Sequence, residues 1–466
     1  MPRLAFALAF ALAFGLALAA GPAAALDDPA LDAAVREALE RSPEAARARA
    51  EVAAERLRAP QLGAMPDPML TLGIQNDGFK SIQIGTMETS FWQVMVTQPI
   101  PWPGKRGARA EAARARASTA EARLARVQLD VEAAVAGAWV DLLLVRSQLG
   151  LLAKLETLWR EAEALSRVRY GIGAVPQSDV VRAQLELTRL VTQRIALEAN
   201  ARARVQTLNR WRGQPLEAPV ETPRPLAEAS VPELPSAERS VEDAEARSPD
   251  LAEARLAEAA AGRRVAVAER ERYPDLAVGA GIMVRGSLEP MWQATGSIGL
   301  PVFSARGAAV AESAERRRAE AEGAEATARV VRLRASERHT ALEALLATAK
   351  LYREALLVQS DAAVRATMSQ YRVGKVPFAS VLEVIRGLVG DEGSWFEALA
   401  QAQRVAIAAK AVSLEAPPGL GGGGGMAGGS IPGASGAMAA GGGARPAAGG
   451  GGSAEAPAQG GSSSGM

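Results

Sequence analysis

The sequence predicts a mostly α fold with a small β part: long coiled-coil helical hairpins of the kind that build an α-barrel, joined to four amphipathic strands per chain. Three observations predict it. Apolar or small residues at Val131, Val135, Ala138, Leu142, Val145, Leu149, Leu152 and Trp159 follow the alternating four-and-three spacing of a coiled-coil seam. Short segments such as Leu70-Thr71-Leu72-Gly73-Ile74-Gln75 alternate apolar and polar residues, the period of a strand with two unlike faces. The turn Tyr170-Gly171-Ile172-Gly173-Ala174-Val175-Pro176 is written again as Tyr371-Arg372-Val373-Gly374-Lys375-Val376-Pro377, so Tyr, Gly, Val and Pro each recur 201 residues on.

Composition narrows the function classes. Lys and Arg number 53 against 52 Asp and Glu, which argues against a nucleic-acid binder relying on a broad basic surface. Abundant Ala, Leu, Arg and Glu with 4% aromatic residues favours long helices over a dense globular core. Arg3, an apolar run from Leu4 to Ala19 and Ala23-Ala24-Ala25 read as a signal peptide over residues 1–25. No later apolar run is expected to span a membrane as a helix, so any spanning segment would have to be a strand. Zero cysteines remove disulfides, thiolate metal sites and an acylated N-terminal Cys.

The first repeat is read over residues 26–215. A helix is expected from Asp32 to about Leu57, restarted at Ser42-Pro43 and ended by Pro60, Pro66 and Pro68. Leu70, Leu72 and Ile74 then alternate with polar or small neighbours, as do Trp92, Val94 and Val96, with a polar loop from Asn76 to Ser90 between them. Pro99-Ile100-Pro101-Trp102-Pro103-Gly104 closes the second strand and launches a long helix. Gly104-Lys105 lacks the first glycine and the Ser or Thr of a phosphate loop, so a rigid corner is the better account. From Arg106 to Val168 the helix would extend roughly 90 Å. Its second seam, Leu144, Leu151, Leu158 and Leu165, gives it neighbours on both sides, like a stave.

A Pro-rich linker is expected over 216–236, and the plan then repeats over 237–416. Ser248-Pro249 echoes Ser42-Pro43, Pro274 echoes Pro68, and Trp292, Pro301 and Gly307 echo Trp92, Pro101 and Gly107. Leu276, Val278, Ala280 and Ile282 form one face of a third strand, and Trp292, Ala294, Gly296, Ile298 and Leu300 one face of a fourth. The second interstrand loop must be shorter than the first. Residues 417–466 are Gly, Ala, Ser and Pro without periodicity, the composition of a disordered tail.

Four strands cannot close a barrel, and open edges are not tolerated in hydrocarbon, so other copies of the chain must complete it. The duplicated helix–strand–strand–hairpin plan with its paired Tyr-x-x-Gly turns resembles the TolC-type outer-membrane efflux proteins from about Leu26 to Leu414. Gln98-Pro99-Ile100-Pro101-Trp102-Pro103-Gly104-Lys105 also resembles the strand-to-helix junction of that family's heavy-metal branch, from whose frequent lipoproteins this cysteine-free chain departs.

The resemblance implies a homotrimer, a β-barrel in outer-membrane lipid, a helical tunnel through the periplasm, a periplasmic adaptor and an inner-membrane pump. It implies no cofactor and no enzymatic step. It puts Tyr170, Gly173, Pro176, Tyr371, Gly374 and Pro377 at an adaptor-contact tip, and Trp92, Val94, Val96, Trp292 and Ile298 against lipid. Asp179, Arg182, Lys375 and Glu383, just beyond the turns, become candidates for a gate at the periplasmic end, with Ser380 standing where the family's second acidic ring would be expected. An exit channel for protein secretion, or a soluble periplasmic coiled-coil scaffold, would share parts of this pattern.

Residue types otherwise suited to catalysis or metals are sparse. The single histidine, His339, lies on an expected stave and reads as solvated or interhelical. Met87, Met95, Met283 and Met291 fall near strands and could offer soft sulfur to a cation, or fill gaps.

Overall fold

The structure, a computed structural model, describes residues 28–300 and 305–417. The expected signal peptide, and the tail beyond Pro417, lie outside the described residues. The elements run α1 (Pro29–Arg41), α2 (Pro43–Gly63), β1 (Met69–Gln75), β2 (Phe91–Ile100), α3 (Lys105–Gly171) and α4 (Gln177–Arg212), then α5 (Ala237–Arg247), α6 (Pro249–Glu271), β3 (Leu276–Arg285), β4 (Leu288–Ile298), α7 (Ala305–Leu351), α8 (Leu357–Arg372) and α9 (Phe378–Lys410). The fold is the mostly helical one expected, with one small sheet.

Serine and proline set the helix starts in both halves. Asp28 caps α1 by accepting from the Ala30 N–H, and Ser42 caps α2 by accepting from the Ala45 N–H at 3.2 Å. Ser236 and Ser248 do the same for α5 and α6. A proline at the first helical position loses nothing, because that N–H has no helical partner anyway. Pro60 does not end α2 as expected; it stands inside the last turn, and the helix runs on to Gly63. Its missing N–H forfeits one bond, to the carbonyl four residues back, but only three helical residues follow it, so little of the helix depends on continuing past it.

α3 is a single helix of 67 residues, about 100 Å long. Its first seam is buried: Val131, Val135, Leu142, Val145, Leu152 and Trp159 are nearly solvent-free. The second seam is mostly half-buried, and the two faces pack against α4 and α9 in the half near the turns and against α2 and α6 in the half near the strands. One 18-residue window of α3 is apolar enough by composition to span a membrane, contrary to the expectation from sequence. Over half of that window is buried within the chain, so its apolarity serves packing against neighbouring helices. The corresponding stave of the second half is broken by one π-helical turn, Tyr352–Leu356, between α7 and α8.

Among the described residues two large apolar cores, with two smaller clusters on α7 beside them, divide the staves. The middle one gathers Trp139, Leu142, Leu143, Leu208 and Ile407 around Leu31, Ala34 and Ala38 of α1. The expected linker enters this core rather than swinging free: Val220 and Leu226 are buried there, and Arg146 donates to the Val220 carbonyl at 2.6 Å. The second core, towards the turns, holds Trp159, Ala183, Leu190, Tyr371, Phe378, Val381 and Ile385.

The four strands form one antiparallel sheet in the order β1-β2-β3-β4. Trp92 pairs with Ile74 and Val284, Val94 with Leu72 and Ile282, and Ile282 with Trp292. The loop between β1 and β2 spans residues 76–90, whereas β3 and β4 are joined through Gly286 and Ser287, the shorter connection expected. Gly286 takes φ 64° at this tight turn, where its Cα approaches Gly85 of the longer loop.

Candidate functional site

The candidate site residues fall at two places in the fold, the sheet and the paired turns. In the sheet, period-two alternation sends Leu70, Leu72, Ile74, Trp92, Val94, Val96, Val278, Ile282, Trp292 and Ile298 to one face, most of them exposed. Trp292 is 82% exposed and Trp92 55%. The opposite face carries Thr71, Gln93, Thr97, Gln293, Thr295 and Ser297, and Gln93 Nε2 donates to Gln293 Oε1 at 3.3 Å. Gly279 and Gly281 leave room there for Thr97, Thr295 and Met95, since a Cβ on either glycine would collide with its neighbours.

The corner between sheet and staves is an ion-paired lock. Gly104 reverses the chain at φ 92° and begins α3. Lys105, 1% exposed, reaches Asp275 at 2.8 Å and Glu271 at 3.2 Å. Asp275 also accepts from the Trp102 N–H, and the Trp102 and Tyr273 rings stack at 5.7 Å. This joins the start of α3 to the end of α6 through side chains, and it is the corner that the Gly104-Lys105 sequence suggested.

At the far end both turns are built identically. In the first, the Gly173 N–H donates to the Tyr170 carbonyl and the Ala174 N–H to that of Arg169, each at 2.9 Å. In the second, the N–H groups of Gly374 and Lys375 donate to the carbonyls of Tyr371 and Gln370. These are paired Schellman caps, and each needs a left-handed residue, which Gly173 at φ 74° and Gly374 at φ 79° supply. Pro176 and Pro377 follow as extended N-caps of α4 and α9.

The surroundings of the two turns differ sharply. Tyr371 is wholly buried, with its hydroxyl 2.9 Å from Ser166 Oγ and the Arg169 guanidinium 4.7 Å above its ring. Arg169 also donates to the Tyr371 carbonyl at 2.7 Å, and Phe378 and Trp159 complete an aromatic cluster. Tyr170, its counterpart, is 46% exposed beside exposed Val168 and Ile172. Ser166, Arg169 and Phe378 did not stand out in the sequence. The signal available was a break in the repeat, for Phe378 corresponds to Gln177 and Trp159 to Ser360.

Of the charged residues beyond the turns, Asp179 is buried at the start of α4, at 8% exposure. Arg182, Lys375 and Glu383 are exposed. Among the described residues none of these four is ion-paired within the chain. His339 is half-buried on α7, with its Nδ1 shielded from solvent. The described residues contain no cluster of His, Asp and Glu suited to a metal ion.

The description "outer membrane efflux protein" belongs to the family whose sequence profile matches residues 34–214. In fold, the chain is similar to the outer-membrane channel OprN, with TM-score 0.71 at 20% identity over 83% of this chain and 90% of that one. It is similar to VceC of Vibrio cholerae, with TM-score 0.68 at 18% identity over 82% and 96% of the two chains. The open state of the MtrE channel of Neisseria gonorrhoeae gives 0.70 at 18% identity over 83% and 89%. Against curated protein sequences the chain finds no significant match.

Proposed function

With residues 34–214 those of an outer membrane efflux protein and the fold that of the TolC-type channels, we propose that the chain is the outer-membrane exit duct of a tripartite efflux system. One observation carries the reading: a four-stranded sheet with one face apolar but for Gln98, and with two open edges, is joined to staves about 100 Å long. Such a sheet is stable in hydrocarbon only when further copies close it, and such staves are long enough to cross an aqueous compartment. A soluble coiled-coil scaffold would leave Trp92, Trp292 and their apolar neighbours in water without purpose.

In this reading three copies, each with repeats over 26–215 and 237–416, form one barrel and one tunnel. The duct performs no chemical step, and a partner pump supplies the energy. Trp92, Val94, Val96, Trp292 and Ile298 meet lipid. The tip of Tyr170, Gly173, Pro176, Tyr371, Gly374 and Pro377 meets a periplasmic adaptor, and the exposed Val168 and Ile172 support contact there. Asp179, Arg182, Lys375 and Glu383 form the aperture set; the last three are exposed and so open to pairing between copies, whereas Asp179 is buried within its own chain.

Crosslinking of the detergent-solubilised protein tests assembly and should give a dominant three-chain species; a well-behaved monomer in mild detergent would end this reading. Planar-bilayer recording of Asp179→Asn with Glu383→Gln tests the aperture. Lower cation preference or larger resting conductance is expected, and unchanged currents would remove these residues from the gate.

A further inference from the structure

The methionines of the sheet are sorted to the polar face. In the regularly paired stretches, every Leu, Ile, Val and Trp of β1 to β4 lies on the apolar face. Met69, Met95, Met283 and Met291 all lie on the other, with Thr, Gln, Gly and Ser, joined there by Phe91. A methionine acting only as an apolar filler would be at least as well placed among the leucines and valines, so the partition asks for a property that the aliphatic residues lack.

Their order adds a second observation. Met291 pairs directly with Met283. Met95 pairs with Gly281, two residues from Met283, and Met69 pairs with Thr97, two residues from Met95. The four therefore make one diagonal stripe across all four strands, each step a directly opposed or diagonal neighbour. Such neighbours lie about 5–8 Å apart, within reach of long flexible side chains. Gly281 keeps the stripe open, because a Cβ there would stand 2.9 Å from that of Met95. Met95 Sδ faces the Gln93 amide at 3.8 Å, so this sulfur already serves as an acceptor.

We propose that this stripe binds soft monovalent cations, Cu(I) or Ag(I), through thioether sulfur. The proposal deepens the duct reading and rests on it, for the polar face lines the lumen only if the apolar face meets lipid. Thioether is the one neutral ligand here that prefers soft d10 ions to water-loving ones. With no carboxylate, imidazole or thiolate among these four positions, binding is weak and exchangeable, which suits a cation in passage. Three copies would repeat the stripe around one lumen.

The test uses the full-length detergent-solubilised protein in nitrate buffer, with Ag(I) as the probe. Silver bound per chain at equilibrium, measured by dialysis against a series of free Ag(I) concentrations, is compared between wild type, Met87→Leu in the loop outside the stripe, and the fourfold variant Met69→Leu, Met95→Leu, Met283→Leu, Met291→Leu. Met and Leu are close in volume, so the fold should survive, and helix content and crosslinked species are checked alongside. Wild type and Met87→Leu should bind silver alike, and the fourfold variant should bind it about tenfold more weakly. In bilayers with potassium nitrate, Ag(I) should reduce the current through wild type and leave the variant unchanged. Equal silver binding by wild type and the fourfold variant overturns the proposal. Failure of every form to carry potassium current would instead remove the duct reading, while silver binding would still report on the thioethers.

Discussion

The Tyr371 hydroxyl lies 2.9 Å from the Ser166 hydroxyl, joining the end of α8 to α3 across 205 residues of sequence. Both groups are fully buried, so neither can turn to water if the other is lost. Tyr371→Phe should cost about 1–2 kcal/mol of stability by leaving Ser166 without its partner. Tyr170→Phe, at the exposed equivalent, should cost less than about 0.5 kcal/mol. Thermal unfolding followed by helical circular dichroism reads both, and equal shifts would show that the two tyrosines share one environment.

The two turn glycines should separate stability from docking. Gly374→Ala places a Cβ 3.0 Å from Arg169 Nη2 at a positive φ, so it strains the backbone by about 1–2 kcal/mol and also displaces the cation over Tyr371. Gly173→Ala carries the same backbone strain in open space. We expect Gly374→Ala to lower the thermal midpoint more. Gly173→Ala should retain more stability while weakening the proposed adaptor contact, measured by pull-down with candidate periplasmic adaptors.

Pairing of β3 with β2 and β4, and with it the proposed closure by further copies, depends on two absent side chains. A Cβ at Gly279 would come within 2.6 Å of Thr295 Oγ1, and one at Gly281 within 2.8 Å of the Val94 carbonyl. Gly279→Ala with Gly281→Ala should therefore abolish the crosslinked three-chain species. Gly296→Ala, with nothing within 4 Å, should leave it intact. The relevant measurement is crosslinked yield from equal amounts of solubilised membrane.

Acid should loosen the junction of α1 with the end of α4. Burial alone would raise the Glu37 carboxyl, but hydrogen bonds from Gln214 and Arg212 and the charges of Arg212 and Arg41 outweigh it, holding the pKa below 4.5. The folded state thus binds this proton less readily than the unfolded chain. Its stabilisation is present above the ordinary value and is lost as pH falls through the folded one. As the pH falls from about 5 to about 3 the midpoint of wild type should fall further than that of Glu37→Gln, and parallel falls would exclude this carboxylate as a contributor.

Periodicity made the architecture legible. Val131 to Trp159 announced a seam, Leu70 to Gln75 a strand, and the recurring Tyr-x-x-Gly turns a duplication, because each pattern is local and needs no partner to be read. What escaped depends on a neighbour distant in sequence. Nothing around Tyr371 distinguishes it from Tyr170 until α3 supplies Ser166 and Arg169. The docking of Val220 and Leu226 likewise requires the core that α1 and the staves create. Asp179 and Arg182 share a helix, yet packing buries the first and leaves the second in solvent.

The unpaired outer edges of β1 and β4 give the chain a hazard measured in time. In the proposed assembly, from the moment the sheet forms until neighbouring copies close it, each edge is a template for any extended polypeptide it meets. Closure is a collision between copies, so it slows with dilution, whereas unwanted pairing proceeds with whatever else is present. Scarcity of the chain therefore threatens it more than abundance does. Changes that delay assembly should show themselves as lost protein and insoluble deposits, long before any assembled duct conducts abnormally.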